Sequence, residues 1–150
     1  MKIKTKYLGE VEIDREKVIA FPHGIPGFIE EKEFVLLDFP DNPVFQILQS
    51  INTQQLAFIV TAPYQFNSSY EVELDKAILD VLEINEEQEV VILAIISLKE
   101  PFEKSTINLQ APLVINNRNC MGKQFITNNK RYGTKEPINV ESISSSEKGD

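Results

Sequence analysis

Hydrophobic and polar positions alternate over short stretches along most of this chain, and that pattern predicts strands. From Lys2 to Tyr7, the residues Ile3, Thr5 and Tyr7 fall on one face of an extended segment. Val11 to Ile13 and Val18 to Phe21 are short and β-branched, which suits a pleated backbone. Phe34 to Leu37, Val44 to Leu48 and Leu56 to Thr61 are apolar runs between turn signals. Glu89 to Leu98 is Val/Ile-rich and long enough for a central strand. Leu113 to Ile115 and Gln124 to Thr127 flank an Asn- and Gly-containing loop and read as a hairpin.

One stretch has helical spacing. Tyr70, Val72 and Leu74 alternate like a strand end, after which Asp75 can cap a helix over Lys76 to Leu82. Leu74, Ile78, Val81 and Leu82 would form its apolar face. The run Thr106 to Asn116 carries amides at Asn108, Gln110 and Asn116 and is interrupted by Pro112. Proline has no N–H to give a sheet, so this run predicts an amide-rich turn feeding a strand that starts near Leu113. It contains no nucleophile or titrating base and reads as a packing or protein-contact device.

The expected fold class is mainly β: a small β-barrel-like single domain with one short helix. A closed sheet hides its edge strands. A flat sandwich is the alternative that the pattern leaves open. The domain is expected to span residues 1–139, with a flexible polar tail at residues 140–150, where too few apolar side chains remain to pack.

Composition agrees with one soluble domain. The chain has 150 residues, 42% hydrophobic and 25% charged, long enough for a substantial core. The single cysteine cannot form an internal disulfide, which fits a reducing compartment. The first residues, Met-Lys-Ile-Lys-Thr-Lys-Tyr, lack the apolar core of a signal peptide. The longest apolar run, Val90 to Leu98, is far short of the about 20 residues that span a bilayer. A cytoplasmic protein with no membrane contact is expected.

Charge changes the picture more. The net charge is −8, unevenly placed. Residues 71 to 89 sum to −7, and residues 104 to 135 to +6. Both could be solvated faces, or the acidic segment could face a basic partner. The overall sign argues against nucleic acid as the main ligand, since phosphate neutralisation dominates such binding. Pro63-Tyr64-Gln65-Phe66 places two aromatics just before the acids. Tyr64, Phe66, Glu71, Glu73 and Asp75 are therefore the candidate partner-binding residues.

Catalytic candidates are sparse. His23 is the only histidine and lies in the turn Phe21-Pro22-His23-Gly24-Ile25-Pro26-Gly27-Phe28. That turn reads as structural: Gly24 and Gly27 can take positive φ, and Phe21 and Phe28 would anchor its ends in the core. Cys120 reads as a buried, inert thiol. One His and one Cys do not make a zinc site, and Asp38 and Asp41 lack the spacing of a calcium loop. No metal or cofactor is expected. Gln46 and Gln49 could satisfy buried backbone groups or meet a partner.

Taken in order, Phe-Pro-His-Gly-Ile-Pro-Gly-Phe at 21–28, Phe-Gln-Ile-Leu-Gln-Ser at 45–50, Ala-Phe-Ile-Val at 57–60, the run at 106–116, Gly-Lys-Gln at 122–124 and Arg-Tyr at 131–132 resemble the bacterial flagellar assembly factor FliW family. The resemblance covers most of residues 1–138. It implies a small β-barrel-like fold and a non-enzymatic role. Such proteins bind flagellin in the cytoplasm before secretion. They also bind the translational regulator CsrA and stop it repressing flagellin synthesis, and flagellin displaces the regulator. Two other classes compete: a nucleic-acid-binding small β-barrel using the basic residues of 104–135, and a cysteine-dependent enzyme built on Cys120.

Overall fold

A computed structural model describes residues 1–138. The expected tail at 140–150, and the last residue of the expected domain, lie outside them. The first strand, β1 (Lys2–Lys4), pairs antiparallel with β2 (Glu10–Glu12), Ile3 opposite Val11. It stops earlier than the alternation predicted. Thr5 ends it: its hydroxyl donates to the Gly9 carbonyl at 2.7 Å and accepts the Leu8 N–H at 2.9 Å. This turn leaves Tyr7 exposed, although the alternation grouped it with the buried Ile3 and Thr5.

The main sheet is built from β3 (Ile19–Ala20), β4 (Glu33–Asp38), β5 (Phe45–Ser50), β6 (Ala57–Thr61), β7 (Val90–Ser97), β8 (Thr106–Ile107), β9 (Leu113–Asn116), β10 (Met121–Gln124) and β11 (Glu136–Pro137). One helix, α1 (Lys76–Val81), lies between β6 and β7. Strands β3 to β7 pair antiparallel in sequence order. The first half of β7, Val90 to Leu93, then pairs with β9, whose hairpin partner β10 meets β3 in parallel at Ala20. The ring closes over seven strands. This is a barrel, and the sandwich alternative is excluded. The second half of β7 pairs with β8, and β8 with β11, so a short flap leaves the barrel along the same edge.

Strand alternation divides two cores. Phe34, Leu48, Val60, Leu93, Leu113 and Ile115 fill the lumen together with Phe21. Phe21 meets Phe34 edge to face with ring centroids 5.4 Å apart. Gly122 on β10 makes room for that ring, since a Cβ there would lie 2.8 Å from it. The opposite faces of β5, β6 and β7 carry Phe45, Ile47, Ile59, Ala94 and Ile96. They are covered by Phe66, Tyr70, Leu109, Tyr132 and Ile138 from the connecting segments. The β1–β2 hairpin packs Ile3 and Ile13 on Val35 of β4. Because β7 is packed on both faces, its sequence is a continuous apolar run without alternation.

Helix α1 is six residues long, too short to persist alone. The Asp75 carboxylate caps it by accepting the Ile78 N–H at 2.9 Å. Ile78 and Leu82 are buried against Val114 of β9. At the other end, the Asn116 side-chain amide donates to the Leu82 carbonyl at 2.8 Å and the Glu83 carbonyl at 3.2 Å.

The β9–β10 hairpin forms, but its second strand is Met121–Gln124 and not Gln124 to Thr127. Gly122 and Lys123 are weak strand formers, which hid this strand in the sequence. Beyond it, the Phe125 N–H still donates to the Pro112 carbonyl at 2.9 Å. Pro112 has no N–H to return the bond, so regular pairing stops there, although the Thr127 N–H still donates to the Gln110 carbonyl at 2.8 Å.

In the turn at 21–28, Gly24 and Gly27 have φ of +68° and +91°. Phe21 is fully buried, whereas Phe28 is 44% exposed and meets Phe58 edge-on, so one end of the turn is anchored in the core and not two. A Cβ on Gly24 would lie 2.4 Å from the Ile29 carbonyl oxygen, while one on Gly27 would meet nothing within 4 Å. Gly24→Val should therefore destabilise by at least about 2 kcal/mol, combining φ strain with a backbone clash, and Gly27→Val by about 1 kcal/mol from strain alone. Urea unfolding of the two variants checks the order, and equal losses would remove the clash from the account.

Candidate protein-docking face

The segment that follows β6 carries the candidate residues over the outside of the barrel. Pro63 opens a single 3-10 turn, Pro63–Gln65, that lifts Tyr64 outward. Tyr64 is 45% exposed. Its ring lies 5.8 Å from that of Tyr70, which in turn lies 4.6 Å from Tyr132. Phe66 turns inward, is 8% exposed and stacks on Phe45 at 6.3 Å. The structure therefore corrects the expectation for Phe66. Its ring belongs to the outer core, because the 3-10 turn places it on the opposite side from the exposed Tyr64.

The Tyr70 and Tyr132 hydroxyls brace the segment. Tyr70 donates to the Leu109 carbonyl at 2.7 Å, and Tyr132 accepts the Glu71 N–H at 3.1 Å. Burial pushes the Tyr70 hydroxyl well above the ordinary phenol range, and the phenols of Tyr64 and Tyr132 add to it. Burial raises Tyr64 as well. The expected strand end at Tyr70, Val72 and Leu74 is not a strand: among the described residues this segment joins no sheet, and the Tyr70 and Tyr132 hydroxyls hold it.

Two concavities adjoin along the segment. One is a trough of about 500 Å³ whose apolar wall comes from Val72, Leu74, Leu79, Ile84, Val90 and Ile92, with Tyr64 at its edge and Glu86 and Glu87 on its rim. The other, also about 500 Å³, is lined by Glu71, Glu73, Asp75, Phe125, Thr127 and Asn128. Leu74 is the wall they share. Thus Glu71, Glu73 and Asp75 come together, and Tyr64 lies on the neighbouring trough. The trough walls from α1 and β7 were invisible in sequence as site residues, because each reads as core. Phe125 and Thr127 lie about 50 residues further on and reach the site only through the hairpin.

The opposite-sign segments partly meet. Arg118, in the β9–β10 loop, pairs with Glu89 at 2.5 Å and donates to the Glu83 carbonyl at 2.7 Å. The Asn85 N–H, helped by the Glu86 N–H and the Arg118 guanidinium, holds the Glu89 carboxyl below its ordinary range. Glu71, Glu73, Glu86 and Glu87 have no ion-pair partner among the described residues.

The remaining candidates stay apart from this face. His23 is exposed in its turn. Cys120 is half-buried, at φ +55°, on the rim of a pocket at one barrel end, which corrects the expectation of a buried thiol. Among the described residues no hydrogen bond joins His23 to Cys120, and no group of three His, Cys, Asp or Glu side chains could hold a metal ion. No helix among them is long and apolar enough to cross a membrane. Gln49 proves structural: it is fully buried, accepts the Lys6 N–H at 2.9 Å and donates to the Ser50 and Gln54 carbonyls.

The model of the FliW protein family matches residues 2–138. The flagellar assembly factor FliW of Oceanobacillus iheyensis is 48% identical over 138 residues, covering 92% of this chain and 94% of that protein. That of Bacillus subtilis is 45% identical over 142 residues, covering 95% and 99%. A crystal structure of the flagellar assembly factor FliW superposes with a TM-score of 0.87 at 44% identity, covering 91% of this chain and 96% of that one.

The Tyr70 brace is testable. Tyr70→Phe leaves the Leu109 carbonyl without its donor and should cost about 1–2 kcal/mol in urea unfolding at neutral pH. The folded pKa of Tyr70 lies above its unfolded value. The stability tied to the neutral phenol is thus complete below about pH 10 and is lost as pH rises further. The variant should lose less stability than the parent above that pH. Identical alkaline profiles would remove Tyr70 as the cause.

Proposed function

This chain belongs to the FliW family, and from that premise we propose that it serves flagellar assembly through protein binding in the cytoplasm, without catalysis. It holds flagellin before secretion. It also binds the translational regulator CsrA and prevents it from repressing flagellin synthesis, and flagellin displaces the regulator.

The observation that carries this reading is the unneutralised acidic face around an apolar trough. Glu71, Glu73, Glu86 and Glu87 surround Leu74, Val72 and Tyr64, and no described cation offsets them. An apolar centre with a charged rim is how protein interfaces are built, and a negative rim suits a basic, RNA-binding partner. The competing nucleic-acid reading is weakened because Arg118, in the basic segment, is turned onto Glu89.

Purified flagellin and regulator, each titrated into the protein by calorimetry, test the reading, and binding of neither would refute it. Charge reversal tests the face. Glu71→Lys, Glu73→Lys and Glu87→Lys together should slow association with the regulator about tenfold at low salt and flatten its salt dependence. Asp75 is kept, since it caps α1. Stopped-flow rates that match the parent at every salt concentration would move the contact elsewhere.

A further inference from the structure

We propose that the segment Glu71 to Asp75 is an open strand edge, to which a partner protein adds a β-strand whose residues alternate between basic and apolar. This rests on the reading that the face binds proteins.

The main chain is the first observation. Residues 71–75 form no helix or turn and join no sheet. Their exposure nonetheless has the period of a strand: Glu71, Glu73 and Asp75 are exposed, and Val72 and Leu74 half-buried. The N–H and C=O groups of Val72, Glu73 and Leu74 have no hydrogen-bond partner among the described residues. Folded chains leave such groups unpaired only where water reaches them, so the edge is open. The Tyr132 hydroxyl already takes the Glu71 N–H at 3.1 Å. Successive residues of an extended chain turn their N–H groups to opposite edges, so Val72 and Leu74 offer theirs on the edge away from Tyr132. The Tyr70 hydroxyl at one end and the Asp75 cap at the other hold the segment without using that edge. Elsewhere the chain blunts its edges, with Lys2 and Lys4 on β1 and Pro137 on β11. Residues 71–75 contain neither Lys nor Pro.

The side chains choose the strand. Every second residue of an added strand shares a face with Glu71, Glu73 and Asp75, and the others share one with Val72 and Leu74. Basic side chains suit the first face, because opposite charges on neighbouring strands attract and Glu71 and Glu73 have no ion-pair partner among the described residues. Apolar side chains suit the second, where Val72 and Leu74 border the trough of about 500 Å³ walled by Leu79, Ile84, Val90 and Ile92. A second copy of this edge is rejected as the occupant by the repulsion of its own acids. Main-chain pairing would supply affinity, and the alternation of side chains specificity.

The test uses the whole chain and a short fluorescent peptide alternating Lys and Val, with blocked ends. Anisotropy at low salt should show saturable binding. Glu73→Lys should weaken it at least about tenfold while leaving the melting temperature unchanged, since that side chain is exposed. The same residues rearranged into one block of Lys and one of Val should also bind at least about tenfold more weakly. Amide exchange read by NMR locates the strand. Saturating peptide should slow the Val72 and Leu74 N–H groups at least about tenfold, with a smaller effect at Glu73, whose N–H faces the other edge. Unslowed exchange at Val72 and Leu74 with the peptide bound, or equal binding of the block peptide, would overturn the proposal. If flagellin and the regulator bind while these two amides exchange at full speed in both complexes, the strand edge falls and the reading above stands. If the peptide protects them while neither protein binds, the edge stands and that reading of its partners falls.

Discussion

Strand β7 bears the constraint on which the rest depends: one edge of it must serve two neighbours. Its first half closes the barrel against β9, and its second half carries the β8–β11 flap. Without the β9 ladder the sheet would have open edges at β7 and β9, and the lumen residues Leu93, Leu113 and Ile115 would lose their cover. The same seam supports the docking face. Val90 and Ile92 point outward from β7 and form the trough wall, and α1 lies over Val114 of β9. Fold closure and site construction therefore use the two faces of one strand.

Buried amides tie the outer segments to this frame. Gln49 joins the 51–56 loop to the N-terminal hairpin, and Asn116 joins β9 to the end of α1. Each sits at zero exposure with its polar atoms paired, as a low-dielectric interior demands. The exception among the described residues is Thr127, whose Oγ1 is buried without a hydrogen-bond partner.

The site is held by packing below and left open in charge above. Tyr70 and Tyr132 fix segment 64–75 by hydrogen bonds to main-chain groups, with Tyr64 at their outer end. The acids on the outer side remain largely without partners, apart from Glu89, which Arg118 neutralises. A rigid base with unspent charge suits recognition, where pre-organisation lowers the ordering cost of binding. It does not require any group to change protonation near neutral pH.

Local pattern determined much of this protein. Period-two alternation and the long apolar run gave most strands of the barrel, the Asp75 cap gave α1, and the Gly and Pro residues of 21–28 gave the turn there. These follow from steric and capping rules that act over a few residues. The ordered segments carried the family. Tertiary structure decided what those rules cannot reach. Only closure shows that Leu113 faces a lumen while Val114 faces a helix. Only the 3-10 turn at Pro63 separates an exposed Tyr64 from a buried Phe66, two aromatics two residues apart. Strand β10 was hidden because Gly122 is chosen for the Phe21 ring beside it, not for strand propensity. The site joins residues 64–92 to Phe125 and Thr127 because a hairpin far along the chain is pinned to β7 through β9. Proximity of that kind is fixed by strand pairing over long sequence separations, and no local pattern encodes it.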